Sequence, residues 1–312
     1  MKDKRELVFL KRNRSIMCLS ILFSVYLGNR PLNLNTDSVN YIREYLGGDG
    51  GYFKEYFFKQ IGYILYTLKM NVHIYLIILS LLNTFFYYSG FKLILKKDKQ
   101  FYIFWWLFIF SATYLYGSVN ILRQSLAQGI FLISLYYLKK NRTFVFLFFI
   151  MLGIQFHMSI IFFVGLAFFK KIYKYIRKYN FSILIGIFLL NEILVKYLLI
   201  FPKFYRYFYY LKVNNSTYIK VILFLLVFLI LVKIGKIEKM EEMIIFYGLI
   251  LLIFFIKFPL LSGRLIYYIN LIYMIVFYKI GKKYKYINVL IIFIYHLFVL
   301  GYPSTREMLT LI

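Results

Sequence analysis

From Val72 onward the chain alternates long apolar stretches with short clusters of lysine and arginine. Inside hydrocarbon no water can accept or donate hydrogen bonds, so a chain of this pattern must close its backbone bonds internally, as helices. Composition supports the same reading: 312 residues are 62% hydrophobic with only 4 prolines and a mean hydropathy of +0.72. A soluble domain is nearer 45 to 50% apolar. The formal charge of +27 would suggest nucleic acid in a soluble protein. Here the cations fall between apolar stretches, which is a topology signal, and no nucleic-acid partner is expected. The expected fold is all-α, a polytopic integral membrane helical bundle forming one transmembrane domain over residues 1–312.

The N-terminus is basic and leads into Ser15 to Gly28, which lacks a small-x-small cleavage site and reads as an uncleaved first helix. Residues 29–55 are the longest polar stretch, with the turn former Gly47 to Gly51. Tyr56 to Met70 mixes lysines with aromatics and reads as interfacial or re-entrant. Spans are expected at Val72 to Leu95, Phe101 to Tyr116, Asn120 to Leu138, Thr143 to Gln155, Met158 to Phe169, Phe181 to Ile200, Thr217 to Val232, Met243 to Phe258, Arg264 to Tyr278 and Ile287 to Gly301. With the first helix this makes about eleven, several shorter than the ~20 residues a crossing usually needs.

Alternating these spans gathers 25 of the 39 lysines and arginines on one side, in the N-terminus and five interhelical clusters. That side is expected to be cytoplasmic. The 29–55 loop, the turn at His157 and the start of the segment opening with Arg264 then face outward. Cys18 excludes an internal disulfide and reads as a buried, inert thiol in an apolar run. His73, His157 and His296 are too far apart to form a metal cluster, so neither metal nor cofactor is expected.

The densest chemistry lies in Asn120 to Phe169. Two apolar segments meet at the basic turn Lys139-Lys140-Asn141-Arg142, with Arg123 sixteen positions before it and His157 fifteen after. At about 1.5 Å of rise per residue both sit roughly 23 Å from the turn, near the far edge of a hydrocarbon core about 30 Å thick. Ionisable groups at that depth commonly line a functional cavity, although boundary residues also snorkel to headgroups. Arg264 opens its own segment fifteen positions before Lys279 and reaches the same outer level. Guanidinium forks suit phosphate oxygens, so Arg123 and Arg264 are candidates for an anionic headgroup or diphosphate. Gln124 and Gln128 share a face of the Arg123 helix with Ala127 and Gly129 nearby, a pattern that often means tight packing. Asp37 is a candidate general base or a cap for a helix over Ser38 to Leu46. His157 is the other base candidate, or a hydrogen-bonded turn residue.

Asp37 with the following Tyr41, then I-L-R-Q-S-L-A-Q-G-I-F-L-I-S-L-Y-Y-L-K-K, then Q-F-H-M-S-I-I-F-F, then L-S-G-R-L-I-Y-Y-I, together resemble the EpsG family of bacterial polysaccharide-synthesis membrane proteins, which are Wzy-like polymerases. The resemblance spans nearly the whole chain and is densest over Ile121 to Phe169. Departures are the short glycine-rich segment after Asp37 and the basic Tyr56 to Met70 stretch, which bear on acceptor recognition. The resemblance implies a membrane-embedded glycosyltransferase, similar to the GT-C class, acting on polyprenyl-diphosphate-linked oligosaccharide without a metal. Arg123 and Arg264 would then hold the diphosphate, Asp37 or His157 would take a proton, and Gln124, Tyr41 and Tyr267 would support them. Implied partners are membrane lipid, a chain-length regulator and a flippase. A lipid-linked oligosaccharide flippase, a membrane acyltransferase and a structural membrane subunit are the rival classes.

Overall fold

The computed structural model describes residues 2–32, 36–46, 55–95, 101–198, 215–233 and 237–283. Every regular element among them is helical. The described helices fall into two compact units, one running to Ile161 and one beginning at Phe162.

The first unit contains α1 (Lys2–Gly28), α2 (Thr36–Tyr45), α3 (Tyr56–Thr67), α4 (Val72–Ile94), α5 (Phe101–Ile109), α6 (Ala112–Val119), α7 (Leu122–Lys139) and α8 (Thr143–Ile154). Its axis is the close approach of α4 and α7. A Cβ on Gly90 would lie 2.6 Å from Leu132 Cβ, and one on Gly129 would lie 2.7 Å from Phe86 Cβ. Only glycine lets the two backbones meet there, which is how small residues drive association where no hydrophobic force acts between helices. That approach sets Tyr87 OH 2.6 Å from Gln128 Oε1, to which it donates, so Gln128 serves packing between α4 and α7. A buried polar ladder continues to α1, α5 and α6. Ser24 is bonded to Thr84, Thr84 to Tyr114 at 2.6 Å, Trp105 Nε1 donates to Ser20 Oγ at 2.7 Å, and Asn83 Nδ2 donates to Ser118 Oγ at 3.0 Å.

Several boundaries are local chemistry. The Asn71 side chain accepts from His73 N at 2.9 Å and starts α4. Asn141 adopts φ 60°, a left-handed conformation asparagine tolerates, and so closes the turn from α7 to α8. The stretch expected as one span from Phe101 to Tyr116 is instead broken into α5 and α6, bent by 52°. Ser111 is the cause: its hydroxyl accepts from Tyr114 N at 3.2 Å and caps a new helix rather than continuing the old one.

The second unit contains α9 (Leu166–Ile176), α10 (Asn180–Leu198), α11 (Asn215–Lys233), α12 (Lys239–Phe254) and α13 (Pro259–Lys283). The expected span from Met158 to Phe169 is corrected. A 3-10 turn over Met158–Phe163 comes first, and α9 then runs on into the basic cluster. It buries Leu166, Phe169 and Tyr173 while exposing Phe168, Ile172 and Tyr175 with Lys171 and Lys174 beside them. A helix with lysines along its length keeps them at one depth only by lying near the plane of an interface. The start of α12 is anchored by ion pairs. Glu242, 1% exposed, takes Arg177 in a fork at 2.8 and 2.6 Å and accepts from Tyr173 OH at 2.9 Å, while Lys279 reaches Glu238 and Glu241.

Val72–Ile94 and Leu261–Gly281 are long and apolar enough to cross a membrane, and the bent pair α5 and α6 could make a third. Among the described residues no others pass by length and composition, so the expected count of about eleven is not confirmed; α8 and the apolar part of α1 are shorter. The segment Ile287 to Gly301 lies outside the described residues. Outward faces are nevertheless apolar, with Leu22, Phe85, Phe148, Met151 and Leu189 all more than half exposed. Such surfaces suit lipid rather than water. Cys18 shares this outer face and is exposed, not buried as expected. The inward face of α1 is given to Ile16, Ser20, Ser24 and Leu27.

Candidate functional site

Arg123 occupies the first turn of α7, just past the kink where Ile121 separates it from α6. It is 9% exposed. Its Nη1 lies 3.0 Å from Glu55 Oε2. The guanidinium carbon sits 5.9 Å from the Tyr41 ring centre and 5.7 Å from that of Phe58, within cation–π range. Tyr41 OH donates to Asn120 O at 3.2 Å, tying α2 to the α6–α7 corner. Two segments, α2 through Tyr41 and the start of α3 through Glu55 and Phe58, thus converge on the guanidinium carried by α7.

The surrounding wall is aromatic and acidic. Tyr45 stacks on Tyr75 at 5.2 Å and donates to the Met70 carbonyl. Glu44 pairs with Lys59 at 3.5 Å, joining α2 to α3. Arg30, immediately after α1, is buried and donates to Ser38 Oγ on α2. Burial holds its guanidinium down to about 10, still protonated at neutral pH.

Asp37 is the second residue of α2, one turn before Tyr41 by spacing, so it lies inside the helix rather than capping one that begins at Ser38. Its side chain lies outside the described residues. A carboxylate in a first turn is favoured by the helix dipole.

His157 follows α8, and its surroundings define its tautomer. Ser159 N donates to Nδ1 at 3.2 Å, and Ser159 Oγ lies 2.7 Å from the same atom. An atom that accepts a backbone N–H carries no proton, so the neutral ring bears its hydrogen on Nε2. Helix α8 ends at Ile154, and the chain then turns so that Ile160 packs back on Gly153, which itself faces Ile130 of α7. Adjacent residues of α3 touch both neighbourhoods: Phe57 lies 6.2 Å from Phe156, and Phe58 lies against Arg123.

Gln124 is buried next to Arg123. Arg264 and Tyr267 are half-buried on the first turns of α13, in the second unit. The structure therefore brings Arg123, Tyr41, Gln124 and the backbone of Asp37 to one end of the first unit, while His157 follows Phe156, whose ring meets Phe57 of α3. Sequence reasoning passed over Glu55, Phe58 and Arg30. Arg30 carried a usable signal: it is a cation directly after the first apolar helix, on the side where cations are scarce. Among the described residues no three His, Cys, Asp or Glu side chains are grouped as a metal would need.

No curated protein and no solved structure matches the chain. A model of the EpsG family matches residues 13–306, nearly the whole sequence, and the chain belongs to the EpsG family.

Proposed function

We propose that this protein is a polymerase of bacterial surface polysaccharide, a membrane-embedded glycosyltransferase similar to the GT-C class that joins polyprenyl-diphosphate-linked repeat units at the outer face of the inner membrane. The observation that carries the reading is the family match over residues 13–306. The convergence on Arg123 supports it, because guanidinium forks suit phosphate oxygens. Tyr41 and Phe58 are themselves buried against that guanidinium and hold it in place.

In the proposed reaction an acceptor hydroxyl oxygen attacks the anomeric carbon of the lipid-linked chain. The bond from that carbon to the diphosphate oxygen breaks, and polyprenyl diphosphate leaves with the bonding electrons. Asp37 takes the hydroxyl proton. His157 can serve as base through Nδ1 only after releasing Ser159, and through Nε2 it is a donor, so Asp37 is the better base. Arg123 offsets the charge that develops on the leaving group. Cations clustered between helices orient the N-terminus to the cytoplasm. In the cell its proposed partners are a flippase that delivers the lipid-linked units and a chain-length regulator.

The test is reconstitution. Purified protein with lipid-diphosphate-linked repeat units, a chelator and no nucleotide sugar is expected to yield a ladder of longer glycans. Lipid-linked units that stay unpolymerised, or a strict need for added magnesium, would overturn the reading. Movement of the intact units across a vesicle bilayer without polymerisation would identify a flippase instead.

A further inference from the structure

The end of the first unit that holds Arg123 contains a second arginine whose charge has no counter-ion among the described residues. Arg30 is 6% exposed. Its Nε donates to Ser38 Oγ at 3.3 Å, its Nη1 to Leu27 O at 3.1 Å and its Nη2 to Val119 O at 3.2 Å. All three acceptors are neutral oxygens. A guanidinium has five N–H donors, so two remain without an acceptor among the described residues. Arg123 differs, since Glu55 already matches its charge.

The two guanidiniums are held by the same pair of segments. Val119, which Arg30 touches, ends α6 four residues before Arg123; Ser38, which Arg30 also touches, precedes by three residues the Tyr41 whose ring lies against Arg123. Burying a cation is costly unless an opposite charge arrives, and Arg30 is buried among α1, α2 and α6. A bound anion would supply a charge that the described residues do not.

We propose that Arg30 is an anion-binding residue of this site, offering its two remaining N–H donors to a phosphate or diphosphate beside the Arg123–Glu55 pair. The proposal rests on the reading of a lipid-diphosphate substrate. It places a second cation for the diphosphate within the first unit, beside Arg123.

The competing role for Arg30 is purely structural, as a cation closing the carbonyl ends of α1 and α6. Calorimetric titration of the full-length protein in detergent separates the two, with inorganic pyrophosphate as one probe and polyprenyl diphosphate as the other. Wild type is expected to bind saturably. Arg30→Gln should weaken binding at least tenfold. Arg30→Lys, which keeps the charge and can still reach the carbonyls, should melt like wild type yet bind severalfold more weakly, because it lacks the planar fork. If Arg30→Gln fails to fold, Arg30→Lys decides alone. Wild-type affinity in the Lys variant, or in a folded Gln variant, would overturn the proposal, as would a wild type that binds neither probe. Binding of the lipid alone that Arg30 variants weaken assigns the site to a lipid-linked ligand, while weakened binding of both assigns it to the diphosphate itself. Arg30-dependent binding in a protein that forms no polymer would leave the site standing and remove the polymerase reading.

Discussion

The Arg123 guanidinium is held 3.0 Å from the Glu55 carboxylate, with each side chain about nine-tenths buried. Removing one partner of a buried pair leaves an uncompensated charge and costs about 3 to 5 kcal/mol, whereas removing both can be close to neutral. Glu55→Gln is therefore expected to lower the melting temperature in detergent sharply. The Glu55→Gln, Arg123→Gln double variant should recover most of the loss. A double variant that melts no higher than the worse single variant would show that the two residues act independently.

Arg123→Lys should be nearly as damaging to polymer as Arg123→Ala, because the planar fork is lost while the charge is kept. The readout is glycan chain length on a gel, in a strain lacking the native gene. Full-length polymer from the Lys variant would reduce Arg123 to a boundary cation.

Asp37→Asn is expected to abolish polymerisation and leave donor binding largely intact, since a base acts on the acceptor while arginines hold the donor. His157→Ala should cost less, as its Nδ1 is engaged by Ser159. Lost donor binding in Asp37→Asn, together with full turnover in His157→Ala, would remove both from the base role.

The α4–α7 crossing has no room for a side chain at Gly90 or Gly129. Overpacking of this kind costs about 1 to 3 kcal/mol. Gly90→Val and Gly129→Val should each destabilise the protein and reduce activity, because α7 carries Arg123. A Cβ at Gly186 on α10 meets nothing within 4 Å, so Gly186→Ala is the control and should be neutral or stabilising. Equal melting temperatures for all three would remove the crossing as the organising contact.

Orientation is testable by cysteine labelling. Cys18 is exposed, so it must first be changed to serine. A membrane-impermeant thiol reagent should then reach a cysteine placed at Asp49 and spare one placed at Lys140. The reverse pattern would put Arg123 and His157 on the cytoplasmic side and overturn the outward-facing site.

Helix α4, the α7–α8 hairpin and its turn at Lys139 to Arg142 were legible from the residues, since hydrophobic run length and turn chemistry are local properties. So was the position of Arg123 along α7, because counting residues along a helix measures height and α7 begins at Leu122. The break at Ser111 and the 3-10 turn after His157 were hidden, as each depends on a side-chain hydrogen bond competing with an apolar run. Height is a single coordinate. Rotation about each helix axis and the choice of neighbour come from packing, here the fit of Gly90 and Gly129 into the facing helix. No pattern within α7 could point to Glu55, 68 residues away, or place Arg30 between α2 and α6. The sequence by itself determined a helical membrane chain with Arg123 near one edge of its hairpin. Only the tertiary structure decided which charges and rings surround that arginine, because those partners are selected by three-dimensional packing and carry no periodic signature along the chain.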